Sequence, residues 1–185
     1  EGEGTFYAPK VEWNFRDVLD RVWTLGTLQV DFVMPERFSL RYTDRDGHPK
    51  GLVMLHRAIL GSLERFLGIY LEHTGGDFPL WLAPEQVRVL PITSAQDAYA
   101  SSVAAALRAE GFRAGEDLRN EKIGLKIREA TIQRVPYLAV VGAREAAALT
   151  CAVRLRSGED LGGMGVEALS ARLREVERER GVRIG

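Results

Sequence analysis

Residues 86–107 read QVRVLPITSAQDAYASSVAAAL, and this segment sets the fold class of the second half of the chain. Gln86–Ile92 is an apolar run of strand length. A helical pattern follows it at once, with Tyr99, Val103 and Leu107 on one stripe. A strand that runs directly into an amphipathic helix predicts a sheet covered by helices.

Strand and helix continue to alternate downstream of this unit. We predict a weak strand over Phe112–Leu118, a helix over Lys122–Arg134, strands over Tyr137–Val141 and Leu149–Leu155, and, after a glycine-rich segment at 157–165, a helix over Val166–Arg180. The apolar run Tyr137–Val141 is typical of a strand that is buried on both faces. The order β-α-β-α-β-β-α therefore predicts a compact mixed sheet flanked by helices.

The first half of the chain shows an antiparallel pattern instead. Val11, Trp13 and Phe15 alternate with polar residues, which is the period-2 pattern of a half-buried strand. The runs Val22–Met34 and Phe38–Thr43 have a similar character. Three strands that follow one another through short turns predict a meander.

The period then changes to three and four residues. From about Ala58 to His73 it predicts a helix with a wide apolar face, which ends at the glycine pair 75–76. The next segment, Phe78–Pro84, contains two prolines and cannot form a regular helix. We place the domain junction here and predict one domain over residues 1–83 and another over residues 84–185.

The composition is that of a globular protein, since 45% of the 185 residues are apolar and 28% are charged. The formal net charge is −1, so any basic surface must be local. No apolar run reaches the ~18 residues of a membrane span, and the first residues lack the pattern of a signal peptide. The single cysteine excludes an internal disulfide. We expect a cytoplasmic protein without a membrane partner.

Isolated reactive residues carry little information by themselves. His48, His56 and His73 have no neighbour at metal-ligand spacing, which favours structural or exposed histidines on pattern alone. Cys151 lies within a predicted strand with no base beside it in the sequence. This favours a buried, inert thiol over a nucleophile.

A cluster of cations is more suggestive. Five lie within sixteen residues, on or near one predicted helix: Arg119, Lys122, Lys126, Arg128 and Arg134. Two acidic residues, Glu121 and Glu129, are interspersed among them. The pattern leaves two interpretations open, a solvated amphipathic helix or a helix that presents cations and amides to RNA phosphates and bases.

Several strings in the sequence resemble one enzyme family. They are GEGTFYAPK at 2–10, GTLQVDF at 26–32, HRAILGSLERF at 56–66, FPLWLAP at 78–84 and DLRNEKIG at 117–124. The third resembles motif 3 of class II aminoacyl-tRNA synthetases and, together with the second, is similar to the threonyl-tRNA synthetases in particular. The last is typical of the anticodon-binding domains of class IIa synthetases.

The resemblance runs through the whole chain and implies a fold class of α/β and α+β. A partial class II antiparallel sheet with its motif 3 helix would be followed by a class IIa anticodon-binding domain, in which helices flank a mixed β-sheet. The family activates threonine with ATP and Mg²⁺ and transfers it to the 3′ end of threonine tRNA.

The resemblance also assigns catalytic and substrate-binding roles. Arg65 would hold ATP by charge and by stacking of its planar guanidinium, and Ser62 would lie beside the nucleotide. Four further residues would line the amino-acid and adenylate pocket: Tyr7, Lys10, Thr27 and Gln29. Lys10 and Gln29 would act together with Arg65 in catalysis, which rests largely on positioning and on neutralising phosphate charge.

A catalytic zinc is implied as well. His56 would be one of its three protein ligands, and the other two are absent from this chain. A site that requires a hydroxyl ligand separates threonine from isosteric valine better than packing alone can.

In the second domain the resemblance implies contacts to the tRNA anticodon stem-loop. The residues concerned are Asn120, Lys122, Ile123, Arg134, Glu145 and Arg154. Mixed donors and acceptors suit the Watson–Crick edges of unstacked bases. Because a carboxylate is unfavourable beside phosphates, we expect Glu145 to accept hydrogen bonds from a guanine edge.

The chain departs from the family pattern in ways that limit its activity. Motif 1 with its dimer interface, motif 2 and two zinc ligands are absent from the 185 residues, and Thr24 stands where a glutamine is common. We therefore expect anticodon recognition without aminoacylation, with the homodimer a property of the parent enzyme. Two alternatives remain: a free-standing RNA-binding or regulatory module derived from a synthetase, or a small intact enzyme that uses these residues differently.

Overall fold

The computed structural model describes residues 8–180. The chain divides into two compact units, unit 1 over residues 1–75 and unit 2 over residues 76–185. None of the helices within residues 8–180 has both the length and the apolar character that crossing a membrane requires.

Unit 1 is built on a small antiparallel sheet. Its elements are β1 (Lys10–Arg16), β2 (Val22–Asp31), α1 (Val33–Arg37), β3 (Arg41–Thr43), β4 (Pro49–Gly51), β5 (Met54–Ile59) and α2 (Leu63–Thr74). Strands β1, β2 and β5 form the sheet in that order, and β3 pairs with β4 in a separate hairpin.

The predicted meander is therefore wrong in its third strand. Asp31 ends β2, because its Oδ1 accepts hydrogen bonds from the backbone N–H groups of Val33 and Met34 at 2.8 and 2.9 Å. These bonds turn the chain into α1, where Pro35 is compatible with a first helical turn. The strand that completes the sheet is β5, whose last residues the periodicity assigns to the start of the helix.

Helix α2 begins later than the periodicity predicts. Ser62 is its N-cap, with its Oγ accepting from the backbone N–H of Arg65 at 3.2 Å. Gly75 ends the helix at φ 59°, in the left-handed region that glycine adopts without strain. The predicted end of this helix at the glycine pair is confirmed.

Unit 2 is a five-stranded mixed sheet with helices on both faces. Its regular elements are β6 (Val87–Pro91), α3 (Asp97–Ala109), β7 (Ala114–Glu116), α4 (Ile123–Ile132), β8 (Tyr137–Val141), α5 (Ala143–Ala148), β9 (Thr150–Leu155), β10 (Asp160–Gly165) and α6 (Val166–Glu179). The strand order is β10-β9-β8-β6-β7. The strands β7, β6 and β8 are parallel, and β8, β9 and β10 are antiparallel.

The prediction of a mixed sheet flanked by helices is confirmed, with two elements added. The short helix α5 lies between β8 and β9, and the glycine-rich segment forms the edge strand β10 instead of a loop. Glycines have low strand propensity, so no local pattern indicates a strand there. Pairing with β9 supplies the missing stabilisation.

Two apolar clusters hold this sheet between its helices. The larger one joins β6, β8 and β9 to α3 and α6, and its fully buried members include Val89, Leu107 and Leu169. The smaller one joins the opposite face of the sheet to α4 through Leu138 and Ala130. The face of β9 that carries Arg154 is the face on which α4 lies, since Cys151, Val153 and Leu155 point to the larger cluster.

The segment between residues 76 and 83 packs on the rest of unit 2. Leu80 is 1% exposed within the larger cluster. The Arg113 guanidinium donates to the carbonyl oxygens of Ala83 and Trp81 at 2.8 and 3.1 Å. The compact units thus divide after Gly75, eight residues before the junction placed from the prolines, because this segment buries its apolar residue and its carbonyl groups within unit 2.

Candidate functional sites

Three of the residues assigned to threonine activation form one row across the sheet of unit 1. Lys10 of β1 lies opposite Gln29 of β2, and Gln29 lies opposite His56 of β5. Directly paired residues point to the same side of a sheet. The strand pairing therefore brings together side chains that are nineteen and twenty-seven residues apart in the sequence.

Thr27 extends this row by one step. It lies two residues before Gln29 on β2 and so faces the same side, opposite Glu12 and Ala58. Lys10 forms an ion pair with Glu12. The four assigned side chains are all half-buried, which leaves this face accessible.

His56 has a carboxylate partner that the sequence patterns did not indicate. Its Nε2 lies 2.8 Å from Oδ2 of Asp31, a side chain with no exposed surface. Burial opposes ionisation of Asp31, but hydrogen bonds from Met34 N–H and from His56 outweigh it and lower the pKa of the carboxyl group. The signal was present in the string GTLQVDF, in which Asp31 follows Gln29 at a spacing of two on the same face.

This pairing is compatible with the metal role expected of His56. Histidines that bind zinc usually donate a hydrogen bond from their second ring nitrogen to a carboxylate or carbonyl oxygen. This bond fixes the tautomer and the orientation of the ring. Within residues 8–180, no three His, Cys, Asp or Glu side chains lie close enough together to hold a metal ion.

Ser62 and Arg65 lie at the start of α2, where the hydroxyl group of Ser62 caps the helix. The guanidinium carbon of Arg65 lies 5.6 Å from the centroid of the Trp23 ring. The ring is fixed by its own N–H, which donates to Oδ2 of buried Asp17 at 2.8 Å. A cation over an aromatic face is a favourable arrangement that restricts where the guanidinium can point.

Tyr7 lies outside the described residues, so its assignment to the pocket stays a prediction. Cys151 is fully buried, and burial raises the pKa of its thiol to about 11. A thiol of this kind is protonated and unreactive at neutral pH. The prediction that Cys151 is buried is confirmed.

The residues assigned to anticodon contact lie near the two ends of α4, on α5 and on β9. Asn120 and Lys122 are exposed just before α4, and Ile123 is half-buried against the smaller cluster. Arg134 is exposed just after the helix. The ten residues of α4 separate the two ends by about 15 Å, at 1.5 Å per residue.

The structure places the residues of the cation cluster in different surroundings. Lys126 is 2% exposed, and its Nζ donates to the carbonyl oxygens of Pro91 and Asp117 at 3.1 and 2.9 Å. It ties α4 to the sheet and is not available to RNA. Arg119 is engaged with the carboxylates of Asp117 and Glu129. Lys122 is exposed.

Glu145 is a helix cap as well as a candidate acceptor. Its Oε2 accepts from the backbone N–H of Gly142 at 3.0 Å, at the start of α5. Its Oε1 accepts from Nη2 of Arg144 at 3.0 Å. The Arg144 hydrogen bond, followed by the backbone bonds, holds the pKa of Glu145 below its ordinary value. The carboxylate is therefore ionised and able to accept.

Arg154 is half-buried on β9. Its directly paired neighbours are Leu138 on β8 and Asp160 on β10, and the next pair on the same face is Ala152 with Gly163. Its Nη2 donates a long hydrogen bond, of 3.4 Å, to the carbonyl oxygen of Gly158.

Comparison with known protein families divides the chain much as the structure does. Residues 2–74 match the family described as "tRNA synthetase class II core domain (G, H, P, S and T)". Residues 86–176 match the family described as "Anticodon binding domain".

Curated relatives cover nearly the whole chain. The threonine–tRNA ligase of Stenotrophomonas maltophilia (strain R551-3) is 58% identical over 172 residues, or 93% of this chain and 27% of the relative. That of Halorhodospira halophila (strain DSM 244 / SL1) is 60% identical over the same shares. The chain thus spans about a quarter of the length of the curated relatives that it matches.

Solved structures are similar over the same extent. The RNA binding domain of threonyl-tRNA synthetase from Cryptosporidium parvum Iowa II matches with a TM-score of 0.87 and 37% identity, over 95% of this chain and 44% of that chain. The putative threonyl-tRNA synthetase ThrRS-1 of Aeropyrum pernix matches with a TM-score of 0.74 and 30% identity, over 97% of this chain and 43% of that chain.

Proposed function

Because this chain belongs to the threonyl-tRNA synthetase family, we propose that unit 2 binds the anticodon stem-loop of threonine tRNA and that unit 1 supplies part of a site for threonine activation. The observation that carries the first part is the exposure of polar and charged side chains at the two ends of α4. Asn120 and Lys122 are exposed just before this helix and Arg134 just after it, and Arg154 is half-buried on β9.

Anticodon recognition would combine two kinds of contact. Lys122, Arg134 and Arg154 supply positive charge that attracts the RNA backbone, which makes the affinity depend on salt. Asn120 offers both a donor and an acceptor for base edges, and Glu145 offers an ionised acceptor. The side chain of Asn120 is short, and that of Glu145 is held by its hydrogen bond from the Gly142 backbone. Each can therefore meet a base edge in few orientations, so these two residues would supply selectivity.

Unit 1 would contribute to the activation of threonine with ATP and to its transfer to the tRNA 3′ end. Gln29 and Lys10 would orient the amino acid and its adenylate from the row on the open face of the sheet. Arg65 would bind ATP, and its position over Trp23 supports a fixed direction of approach. Tyr7, Thr27 and Ser62 would complete the pocket, and Mg²⁺ would accompany the nucleotide.

His56 would be one of the protein ligands of the zinc, with its ring oriented by Asp31. The metal would supply a Lewis-acid site that selects for a hydroxyl group, a requirement that isosteric valine cannot meet. Asp31 would keep the His56 ring in the orientation that the metal needs.

Fluorescence anisotropy with a labelled stem-loop tests the RNA-binding proposal. We expect the 185-residue chain to bind a threonine-tRNA anticodon stem-loop at least about tenfold more tightly than a stem-loop with a scrambled anticodon. Binding should weaken steadily as salt rises. Equal affinity for both stem-loops would contradict anticodon recognition.

Substitutions locate the contact surface. Arg154→Ala should weaken binding about tenfold, since a charge-assisted hydrogen bond is lost. Arg174→Ala is the matched control, because Arg174 lies on α6, across the sheet from the Arg154 face, and pairs with Glu110. A similar loss in both variants would indicate general electrostatic attraction and would remove the assigned surface.

We also propose that the chain alone does not activate threonine, because the motifs expected to grip the α-phosphate and complete the zinc site are outside its 185 residues. ATP–pyrophosphate exchange with threonine measures this, and exchange above background would contradict it. The alternative of a free-standing RNA-binding module is less favoured, since such a module would have no use for the row formed by Lys10, Gln29 and His56.

A further inference from the structure

Arg156 occupies a central position between two segments of unit 2. Its side chain is only 11% exposed. Its Nη1 donates to the carbonyl oxygen of Phe78 at 3.0 Å and to that of Arg134 at 3.2 Å. Its Nε lies 3.4 Å from Oδ1 of Asp77. One guanidinium thus joins the segment that opens unit 2 to the turn after α4.

Arg134 is held at both ends by this arrangement. Its backbone has φ 61°, in the left-handed region that side chains other than glycine rarely adopt. Its N–H donates to the Thr131 carbonyl at 3.0 Å, and its carbonyl accepts from Arg156. At the far end, its guanidinium Nη1 lies 3.5 Å from the same Asp77 oxygen that Arg156 contacts.

Glycine permits the close approach of the opening segment. A Cβ at Gly76 would lie 3.4 Å from Cγ of Arg134, and Gly76 itself has φ 82°. A side chain at position 76 would therefore press against the Arg134 side chain. Asp77 receives both guanidinium groups, so its position depends on Arg156 as well as on Arg134.

We infer that Arg156 is a positioning residue for RNA recognition, which acts through Arg134 without touching RNA itself. It would fix the left-handed turn through the Arg134 carbonyl and place Asp77, which in turn directs the exposed Arg134 guanidinium. The inference rests on the proposed function of unit 2. The ligand is the anticodon loop of a tRNA, and Arg156 determines the geometry of one contact to it.

The planar fork of arginine is essential to this role. Arg156 uses two different nitrogens toward three acceptors on two segments, and lysine offers a single nitrogen with no fixed plane. Arg156→Lys therefore keeps the charge and removes the fork. Any loss of RNA binding in this variant cannot come from a change in net charge.

A double-mutant cycle with the full chain tests the inference, with labelled cognate and scrambled stem-loops as probes. We expect Arg156→Lys to weaken cognate binding about fivefold and to lower the ratio of cognate to scrambled affinity. In the Arg134→Ala background the same change should have almost no further effect. Arg174→Lys is the matched control and should leave both affinities unchanged.

Three outcomes would overturn the inference: unchanged binding in Arg156→Lys, an equal loss in both backgrounds, or equal loss for both stem-loops. If the unmodified chain itself does not distinguish the two stem-loops, the proposed function fails along with the inference. If the unmodified chain distinguishes the two stem-loops but the effects of the two substitutions are additive, the inference fails and the proposed function stands.

A second variant covers the case in which Arg156→Lys is not folded at the assay temperature. Asp77→Asn keeps both carbonyl bonds of Arg156 and removes the carboxylate that directs Arg134. We expect the ratio of cognate to scrambled affinity to fall about twofold, and to be unaffected in the Arg134→Ala background. An undiminished ratio would remove Asp77 and Arg156 from the recognition mechanism.

Discussion

The two units of this chain differ most in how they bury their apolar residues. In unit 2, side chains such as Leu107 and Leu169 are fully buried between a five-stranded sheet and helices on both its faces. In residues 8–75, Leu25 is the sole large apolar side chain that is buried. One face of the small sheet exposes Trp13 and Ile59 at 46% and 65%.

This difference indicates that unit 2 has the buried core needed to fold alone, whereas unit 1 does not. An open cavity of about 540 Å³ lies between the apolar face of the unit 1 sheet and α2, lined by residues that include Leu25 and Phe66. Unit 2 therefore has a complete core for its size, whereas unit 1 lacks one.

The largest difference between the two units should appear when each is expressed separately. Residues 76–185, expressed alone, should unfold cooperatively in urea and retain stem-loop binding, because their core is complete. Residues 1–75 alone should show no cooperative transition and should bind the dye ANS. Circular dichroism and dye fluorescence measure both. A cooperative transition in the first unit would show that its few buried residues suffice.

A pair of leucine substitutions should give the next largest effect. Leu107→Ala in α3 removes a fully buried side chain and should lower the free energy of unfolding of unit 2 by about 2–5 kcal/mol. Leu67→Ala in α2 removes a side chain that is 57% exposed and should change stability by less than about 0.5 kcal/mol. Urea denaturation compares them. Equal effects would mean that the exposed face of α2 is covered in solution.

Two lysines near the start of α4 allow a buried cation with a structural role, Lys126, to be compared with an exposed cation proposed to bind RNA, Lys122. Lys126→Met leaves the carbonyl groups of Pro91 and Asp117 without their donor and should destabilise unit 2 by about 1–3 kcal/mol. Lys122→Met changes an exposed residue, so stability should stay within about 0.5 kcal/mol while RNA binding weakens. Thermal denaturation and anisotropy together separate these roles. The opposite assignment of the two effects would contradict the burial of Lys126.

The smallest effect concerns the pH dependence of the α5 cap. The pKa of Glu145 is depressed in the folded state, so its ionised carboxylate stabilises unit 2 above its ordinary value of 4.5. This contribution is lost as pH falls through the folded pKa. Glu145→Gln should therefore be less stable than the unmodified chain at pH 7, and the difference should shrink below pH 4.5. A difference that is constant with pH would exclude the charged cap.

Local sequence patterns predict unit 2 better than unit 1. The strand Val87–Pro91 and the helices α3, α4 and α6 carry strong periodic patterns that nearby residues reinforce. In unit 1 the periodicity misses strand β5, because its apolar residues also fit a helical spacing and its partner strand is more than twenty residues away. Long-range pairing overrides local pattern there.

The candidate site residues show the same division. The sequence strings identify the family and the residue types that its chemistry uses, and the family is confirmed. They do not show that Ser62 caps α2 or that Arg119 is held by two carboxylates. Such roles depend on neighbours that meet only in the folded chain.

The order of residues along the chain is enough to establish the family, the succession of most elements in unit 2 and the chemical groups available for binding. Which of those groups act together depends on the folded arrangement. Strand register aligns Lys10, Gln29 and His56 on one face of the sheet. Burial removes Lys126 from the surface of the protein. Register and burial are set by hydrogen bonds and packing between distant segments, so no local pattern contains them.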